Sequence, residues 1–198
     1  MTTILDRISR SYEAGKLVVF VGAGLSCAPP SSIPHANDLK NTFLRALSVD
    51  IEVPDPVGRE VETVGLENFI SIIADSAPGF VRDFMACIKD AGTPSWCHKA
   101  AKLLSARSRV CATTNFDTLL ERALVSGHDG FHVLDTQPQL AAFTGPTTSA
   151  SNTLLKPHCS ADTQNPEALG ATLQVIGRSM GATGVAIAAR SLSMLDVL

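Results

Sequence analysis

The hydrophobic positions of the chain fall into helical stripes and continuous apolar runs. Ile4, Ile8 and Tyr12 recur at four-residue spacing and predict a first helix, which Gly15 ends. The run over 16–21 is apolar at every position after its first residue. It therefore predicts a strand buried on both faces, as in a parallel sheet. Further strands are predicted over three segments: 109–113, 131–134 and 154–156.

Apolar residues at three- and four-residue spacing predict helices between these strands. The helices are expected near 37–47, over 66–74 and 80–88, from Pro94 to about 104, over 119–124 and over 182–198. Residues 136–153, rich in Thr, Ser, Pro, Gln and Gly, are predicted to be an exposed loop insertion. Because strands alternate with helices, the pattern predicts an α/β fold with a parallel sheet in one domain over 1–198.

Composition narrows the class of protein. Hydrophobic residues make up 45% of the 198 residues and charged residues 18%, so disorder over most of the chain is excluded. The net charge is −3 and no lysine–arginine cluster stands out, which argues against nucleic-acid binding. The longest apolar run, 17–25, is too short to span a membrane, and no signal peptide is visible. Five cysteines without C-x-x-C spacing predict neither disulfides nor a zinc site, but reduced, mostly buried thiols in a cytoplasmic protein.

A glycine-rich turn directly follows the first predicted strand. Gly22 and Gly24 permit positive φ and the close approach of a phosphate to backbone N–H groups. The dinucleotide-binding fingerprint would have a third glycine where Cys27 stands, and a second strand where 36–47 look helical. On spacing alone, the turn is compatible with a phosphate site, a dehydrogenase-type site or a structural turn without ligand.

Two later segments carry polar residues after predicted strands. Asn115 and Asp117 follow the strand over 109–113, at the edge where open α/β sheets bind ligands, but they could also cap the next helix. His158 follows the strand over 154–156 and could act as a general base, or it could be structural. The other four histidines do not occupy a comparable position: His35, His98, His128 and His132.

The three segments together resemble the sirtuin superfamily, in particular its bacterial sirtuin-like NAD-consuming branch. They read V-F-V-G-A-G-L-S (19–26), A-T-T-N-F-D-T-L-L-E-R-A (112–123) and L-L-K-P-H-C-S (154–160). Weaker similarity covers 94–98 and 165–169. The resemblance implies a three-layer α/β sandwich with a Rossmann-like sheet and NAD⁺ as the substrate.

The resemblance also implies a role for each matching residue. His158 would be the general base, Asn115 would orient water or the ribose, and Asp117 would hold the nicotinamide amide. Gly22, Ala23, Gly24 and Ser26 would hold the diphosphate and the nearby ribose. Thr114 would bind the cofactor as part of the segment that contacts the nicotinamide and its ribose. We therefore expect Gly22, Asn115 and His158 to line one cleft at the carboxyl edge of the sheet.

Departures from the family pattern favour one branch of it. The protein deacetylases carry a Pro-Asp-Phe-Arg stretch and a four-cysteine zinc module, and this chain has neither. This favours an NAD⁺ glycohydrolase without zinc, acting as the effector of a bacterial anti-phage defence system, as a homo-oligomer or with a sensor domain. A divergent deacylase, an ADP-ribosyltransferase and a non-catalytic sensor of NAD or ADP-ribose are the alternatives.

Two further departures bear on activity. Cys159 stands where the family has glycine, and the chain stops at Leu198, about where another strand is expected. The pattern therefore predicts a domain that is incomplete at its C-terminus, with weak NAD⁺ binding and a tendency to self-associate through an exposed sheet edge.

Overall fold

The computed structural model describes residues 3–48, 64–66, 68–70, 73, 78–125, 131–143, 152–157, 160–161 and 196–197. Its elements are, in chain order, α1 (Ile4–Glu13), β1 (Leu17–Val21), α2 (Gly24–Cys27), α3 (Ala36–Ser48), α4 (Pro78–Asp90), α5 (Trp96–Ser105), β2 (Val110–Thr113), α6 (Leu119–Val125), β3 (Phe131–Leu134), α7 (Gln137–Ala142), β4 (Asn152–Leu155) and β5 (Asp196–Val197). Residues 66, 68–70 and 73 are also helical.

The described strands form one parallel sheet in the order β3-β4-β2-β1-β5. Val19, Cys111, Leu154 and Val133 lie side by side across its four longer strands. Because parallel strands need crossover connections, helices separate most of them along the chain. The predicted α/β, Rossmann-like fold is confirmed.

Alternate residues of the strands face two different apolar layers. One face packs on α5 and α6, where Ala101, Cys111 and Leu120 lie in one buried cluster. The other face packs on α7, where Val110 and Ala112 contact a cluster that includes Leu140. The sheet is thus the middle layer of a three-layer sandwich. A third cluster joins α4 to the helical residues Leu66, Phe69 and Ile70, outside the sheet.

Three predicted boundaries are wrong. The helix expected from Pro94 begins at Trp96 with Ser95 as its N-cap, so the proline precedes the helix. Part of the expected loop over 136–153 is helix α7, whose Leu140 is buried, and Asn152 and Thr153 already belong to β4. The helix expected over 182–198 is wrong at its end, because residues 196–197 form β5 beside β1, and residues 182–195 lie outside the described residues.

The described residues also bear on what was expected from composition. Of the four described cysteines, Cys111 alone is buried, so the expectation of mostly buried thiols is wrong for this part of the chain. Burial raises the pKa of Cys111 to about 12, which keeps its thiol protonated and unreactive at neutral pH. Within the described ranges, no helix combines the length and the apolar character needed to cross a membrane.

Candidate functional site

The three segments singled out from the sequence follow three neighbouring strands. Gly22 comes after β1, Thr114 after β2 and Lys156 after β4, and these strands are adjacent in the sheet. Hydrogen bonds join the segments: the Thr114 N–H donates to the Val21 carbonyl (3.3 Å) and the Ala161 N–H to the Phe116 carbonyl (2.8 Å). The three segments therefore meet at the carboxyl edge of the sheet, where α/β proteins bind ligands.

Ser26 is the centre of a buried polar cluster at this edge. Its hydroxyl donates to Asp117 Oδ2 (2.8 Å) and accepts from Asn115 Nδ2 (3.1 Å). The Nε2 atom of His98 lies 3.3 Å from the same oxygen. All four side chains are buried, with His98 at 0% exposure. The structure thus brings together three predicted site residues, Ser26, Asn115 and Asp117, and adds His98 to them.

His98 enters the cluster through the start of α5. The Ser95 N–H donates to His98 Nδ1 (3.1 Å). Because a backbone N–H can only donate, Nδ1 is the acceptor nitrogen and the neutral ring carries its proton on Nε2. The Nε2–H group then donates to Ser26. Burial lowers the pKa of His98, and the nearby Asp117 carboxylate only partly offsets this, so the ring is neutral at pH 7.

The orientation of the Asn115 amide follows from the same positions of the protons. The Ser26 proton is committed to Asp117, so Asn115 must present its NH₂ group to Ser26. This leaves the Asn115 Oδ1 atom buried without a hydrogen-bond partner among the described residues. A buried carbonyl oxygen without a donor is uncommon and calls for a ligand or a water. Thr113 Oγ1 shapes the turn by accepting from the Asn115 N–H (3.1 Å).

Asp117 serves both the helix and the cluster. Its Oδ1 atom accepts from the Leu119 N–H (2.9 Å) in the first turn of α6, and its Oδ2 atom accepts from Ser26. The helix-capping interpretation of this segment is therefore confirmed for Asp117, and it does not exclude a role in binding. A carboxylate has about four acceptor positions, so two further donors can still reach this one.

A cavity of about 130 Å³ lies against the cluster. Ser26, Thr114, Asn115 and Asp117 form its polar side. Ile33, Ile88 and Phe116 are among its apolar residues. Its volume is close to the roughly 150 Å³ of an apolar cavity that admits benzene. The cavity therefore has room for one small aromatic ring and offers a carboxylate and an amide on one side of it.

Several sequence expectations have different outcomes at this site. His158 and Cys159 lie outside the described residues, and of the other two residues predicted to line the cleft, Asn115 lines the cavity whereas Gly22 is not among its lining residues. Gly22 and Gly24 do not use the positive φ that glycine permits, because the described glycines with positive φ are Gly15 and Gly92. The prediction that His98 lies apart from the site is also wrong. A signal for it was present, since Ser95-x-x-His98 has the spacing of a capping box.

Replacing His98 by glutamine should make stability less dependent on pH. In the unfolded chain His98 takes up a proton near pH 6.5, whereas in the folded protein its pKa is lower. Stability should therefore fall as the pH drops below about 6.5. Glutamine keeps a Ser-x-x-Gln capping box but does not titrate. Urea unfolding between pH 5 and 7.5 tests this, with His132→Gln at an exposed position as the control. If the free energy of unfolding depends on pH equally in wild type and in His98→Gln, the lowered pKa of His98 is contradicted.

Sequence comparisons with known proteins assign no function to these residues. The chain matches no protein-family model, and no curated protein sequence is significantly similar to it.

Proposed function

We propose that the chain binds NAD⁺ at the carboxyl edge of the sheet and hydrolyses it to nicotinamide and ADP-ribose. The observation that carries the proposal is the buried cluster of Ser26, Asn115 and Asp117 beside a cavity sized for one aromatic ring. These residues come from two of the three segments that resemble the NAD-consuming sirtuin-like proteins. The third segment contributes His158, whose role rests on the resemblance.

The proposed reaction divides the work between these groups. The bond between the nicotinamide nitrogen and ribose C1′ breaks, and its electron pair neutralises the pyridinium. Water adds to C1′ and loses a proton, for which His158 is the proposed base. The bound nicotinamide ring is cationic, so the nearby Asp117 carboxylate would favour its binding, and the resemblance implies that Asp117 accepts a hydrogen bond from the nicotinamide amide. The Asn115 Oδ1 atom, which lacks a partner among the described residues, would accept from the water or a ribose hydroxyl.

The glycine turn is the proposed contact for the diphosphate. A Cβ atom added at Gly24 would meet no protein atom within 4 Å, so packing alone does not require glycine there. Open space beside the backbone is what a phosphate needs for close approach. Gly22 and Ala23 would complete this contact from the end of β1, and Thr114 after β2 would contact the nicotinamide side of the cofactor.

Replacing Gly24 by alanine should weaken NAD⁺ binding without loss of stability. Alanine favours helix over glycine by up to about 1 kcal/mol, whereas a methyl group beside the diphosphate should raise the Kd at least about tenfold, or 1.4 kcal/mol. Titration calorimetry and denaturant unfolding measure the two effects. Gly79→Ala is the matched control, since Gly79 lies at the start of α4 and its added Cβ also meets nothing within 4 Å. Unchanged NAD⁺ affinity in Gly24→Ala would favour a purely structural turn.

The activity itself is tested by incubating the purified chain with NAD⁺, with and without an acylated peptide. Release of nicotinamide and ADP-ribose without peptide is the expected result. Turnover that needs the peptide would replace hydrolysis by deacylation, and binding without turnover would indicate a sensor. The matched pair Asp117→Asn and Asp135→Asn compares aspartates near the ends of β2 and β3, and activity should be lost in the first variant only.

The proposed biological role is that of a toxic effector. Bacterial cells that express the chain should lose NAD⁺, and cells that express Asn115→Ala should keep it. Equal NAD⁺ levels in the two cultures, after proof of expression, would count against the effector role. They would leave the purified-enzyme result as the measure of the activity.

A further inference from the structure

A buried lysine lies directly behind the segment that carries Asn115 and Asp117. Lys156, with a fully buried side chain, follows β4, and its ammonium contacts the Asp117 carbonyl (2.7 Å), Glu121 Oε1 (2.5 Å) and Ser160 Oγ (3.2 Å). These are the three shortest contacts of an ammonium that has three N–H groups to donate. The lysine therefore ties the end of β4 to the backbone of the site.

The side chains around Lys156 also form a hydrogen bond with each other. Ser160 Oγ donates to Glu121 Oε1 (3.1 Å), so lysine, serine and glutamate form a ring of hydrogen bonds. The side chain of Glu121 is 14% exposed, and it supplies the negative charge that the buried ammonium needs. The fourth neighbour of the ammonium is the Phe116 carbonyl (3.4 Å), which also accepts from the Ala161 N–H.

These hydrogen bonds hold the backbone carbonyls next to the two side chains that face the cavity. Phe116 and Asp117 offer their carbonyls to Lys156, while the Asn115 and Asp117 side chains belong to the cavity and to the Ser26 cluster. The Asp117 carboxylate is held by Ser26 and Leu119, but its carbonyl is held by the lysine. The direction of the carboxylate thus depends on both sets of contacts.

We propose that Lys156, charge-balanced by Glu121, is a positioning residue for the site: it fixes the backbone of residues 115–117 so that Asn115 and Asp117 face the cavity. Its effect on catalysis rests on the proposed function, whereas its effect on the backbone does not. Lys156 does not line the described cavity, and it acts through the Asp117 carbonyl.

A structural role and a positioning role can be separated by the double variant Lys156→Met/Glu121→Met. The single change Lys156→Met leaves a buried carboxylate unpaired and destabilises the protein whichever role is correct. The double change removes both charges and keeps similar volumes, so overall stability should largely return. The Asp117 carbonyl still lacks its donor in the double variant, so the positioning defect should remain.

The first measurement is residue-resolved hydrogen exchange, which does not need NAD⁺. We expect the Leu119 and Ala161 amides, which donate to Asp117 Oδ1 and to the Phe116 carbonyl, to exchange about tenfold faster in the double variant, relative to the strand amide of Cys111. Lys40→Met is the control. It removes another buried ammonium, one that donates to the Val64 carbonyl (2.7 Å), and it should leave the ratio unchanged. An unchanged ratio in the double variant would overturn the proposal.

The second measurement is the split between kcat and KM in the same proteins. If the site positions the reacting groups, kcat should fall on the order of 10²-fold in the double variant, with a smaller change in KM. Equal kcat in the double variant and wild type would overturn the catalytic part. A wild type that does not cleave NAD⁺ would refute the proposed function, and the exchange ratio would still decide the positioning role.

Discussion

Replacing Asn115 by alanine should lower the rate of NAD⁺ hydrolysis by roughly 10²- to 10⁴-fold, the range for loss of a positioned group in proton transfer. The change removes the buried Oδ1 acceptor and the NH₂ donor to Ser26 at once. His158→Ala should cost a similar factor if His158 is the general base. Nicotinamide release at a saturating NAD⁺ concentration, monitored by chromatography, measures the hydrolysis rates of both variants.

The variant must be shown to fold before its rate is interpreted. Loss of the amide leaves Ser26 without one donor, which costs about 1–3 kcal/mol of stability, so unfolding is monitored in parallel by circular dichroism. Asn37→Ala, an exposed position in the first turn of α3, controls for the loss of an asparagine elsewhere. Turnover like that of wild type in folded Asn115→Ala would remove Asn115 from the catalytic site.

The largest effect on stability is expected for Glu121→Ala. This change leaves the Lys156 ammonium buried without its counter-charge, and breaking a buried ion pair from one side costs about 3–5 kcal/mol. That is a large share of the roughly 5–15 kcal/mol by which a domain is stable. Urea unfolding at pH 7 should show a correspondingly lower midpoint without a change in slope.

A control compares this buried ion pair with an exposed one. Arg82 and Asp83 form an ion pair (3.3 Å) whose side chains are mostly exposed, and Asp83→Ala should cost no more than about 1 kcal/mol. A change of less than about 1 kcal/mol in Glu121→Ala would mean that the buried lysine finds another partner or reaches solvent.

The strands of the fold could be predicted because their signal is local. β1, β2 and β3 are short apolar runs bounded by polar or glycine residues, and their predicted limits differ from the observed ones by at most one residue. The convergence of 22–26 with 114–117 could be expected because parallel strands align their carboxyl ends. Which side chains bond to which could not be expected, since Ser26 and Asp117 are 91 residues apart.

The missed features depend on contacts that a linear pattern does not contain. α7 has the composition of a loop, and a Thr136-x-x-Gln139 capping box and one buried leucine are the signals that favour a helix there. His98 looked like an ordinary helix residue because only the fold brings α5 against β1 and the Ser26 hydroxyl. Lys156 belongs to the segment 154–160 that carries the resemblance, but its partner Glu121 lies 35 residues earlier.

The start of α5 has a consequence that reaches the cavity. The Ser95 amide makes His98 Nδ1 an acceptor, His98 then donates to Ser26, and Ser26 donates to Asp117. Along this chain of hydrogen bonds, each group's role as donor is determined by the group before it. The protons of the cluster therefore have a single arrangement. A site with one such pattern is preorganised: its dipoles are oriented before any ligand arrives.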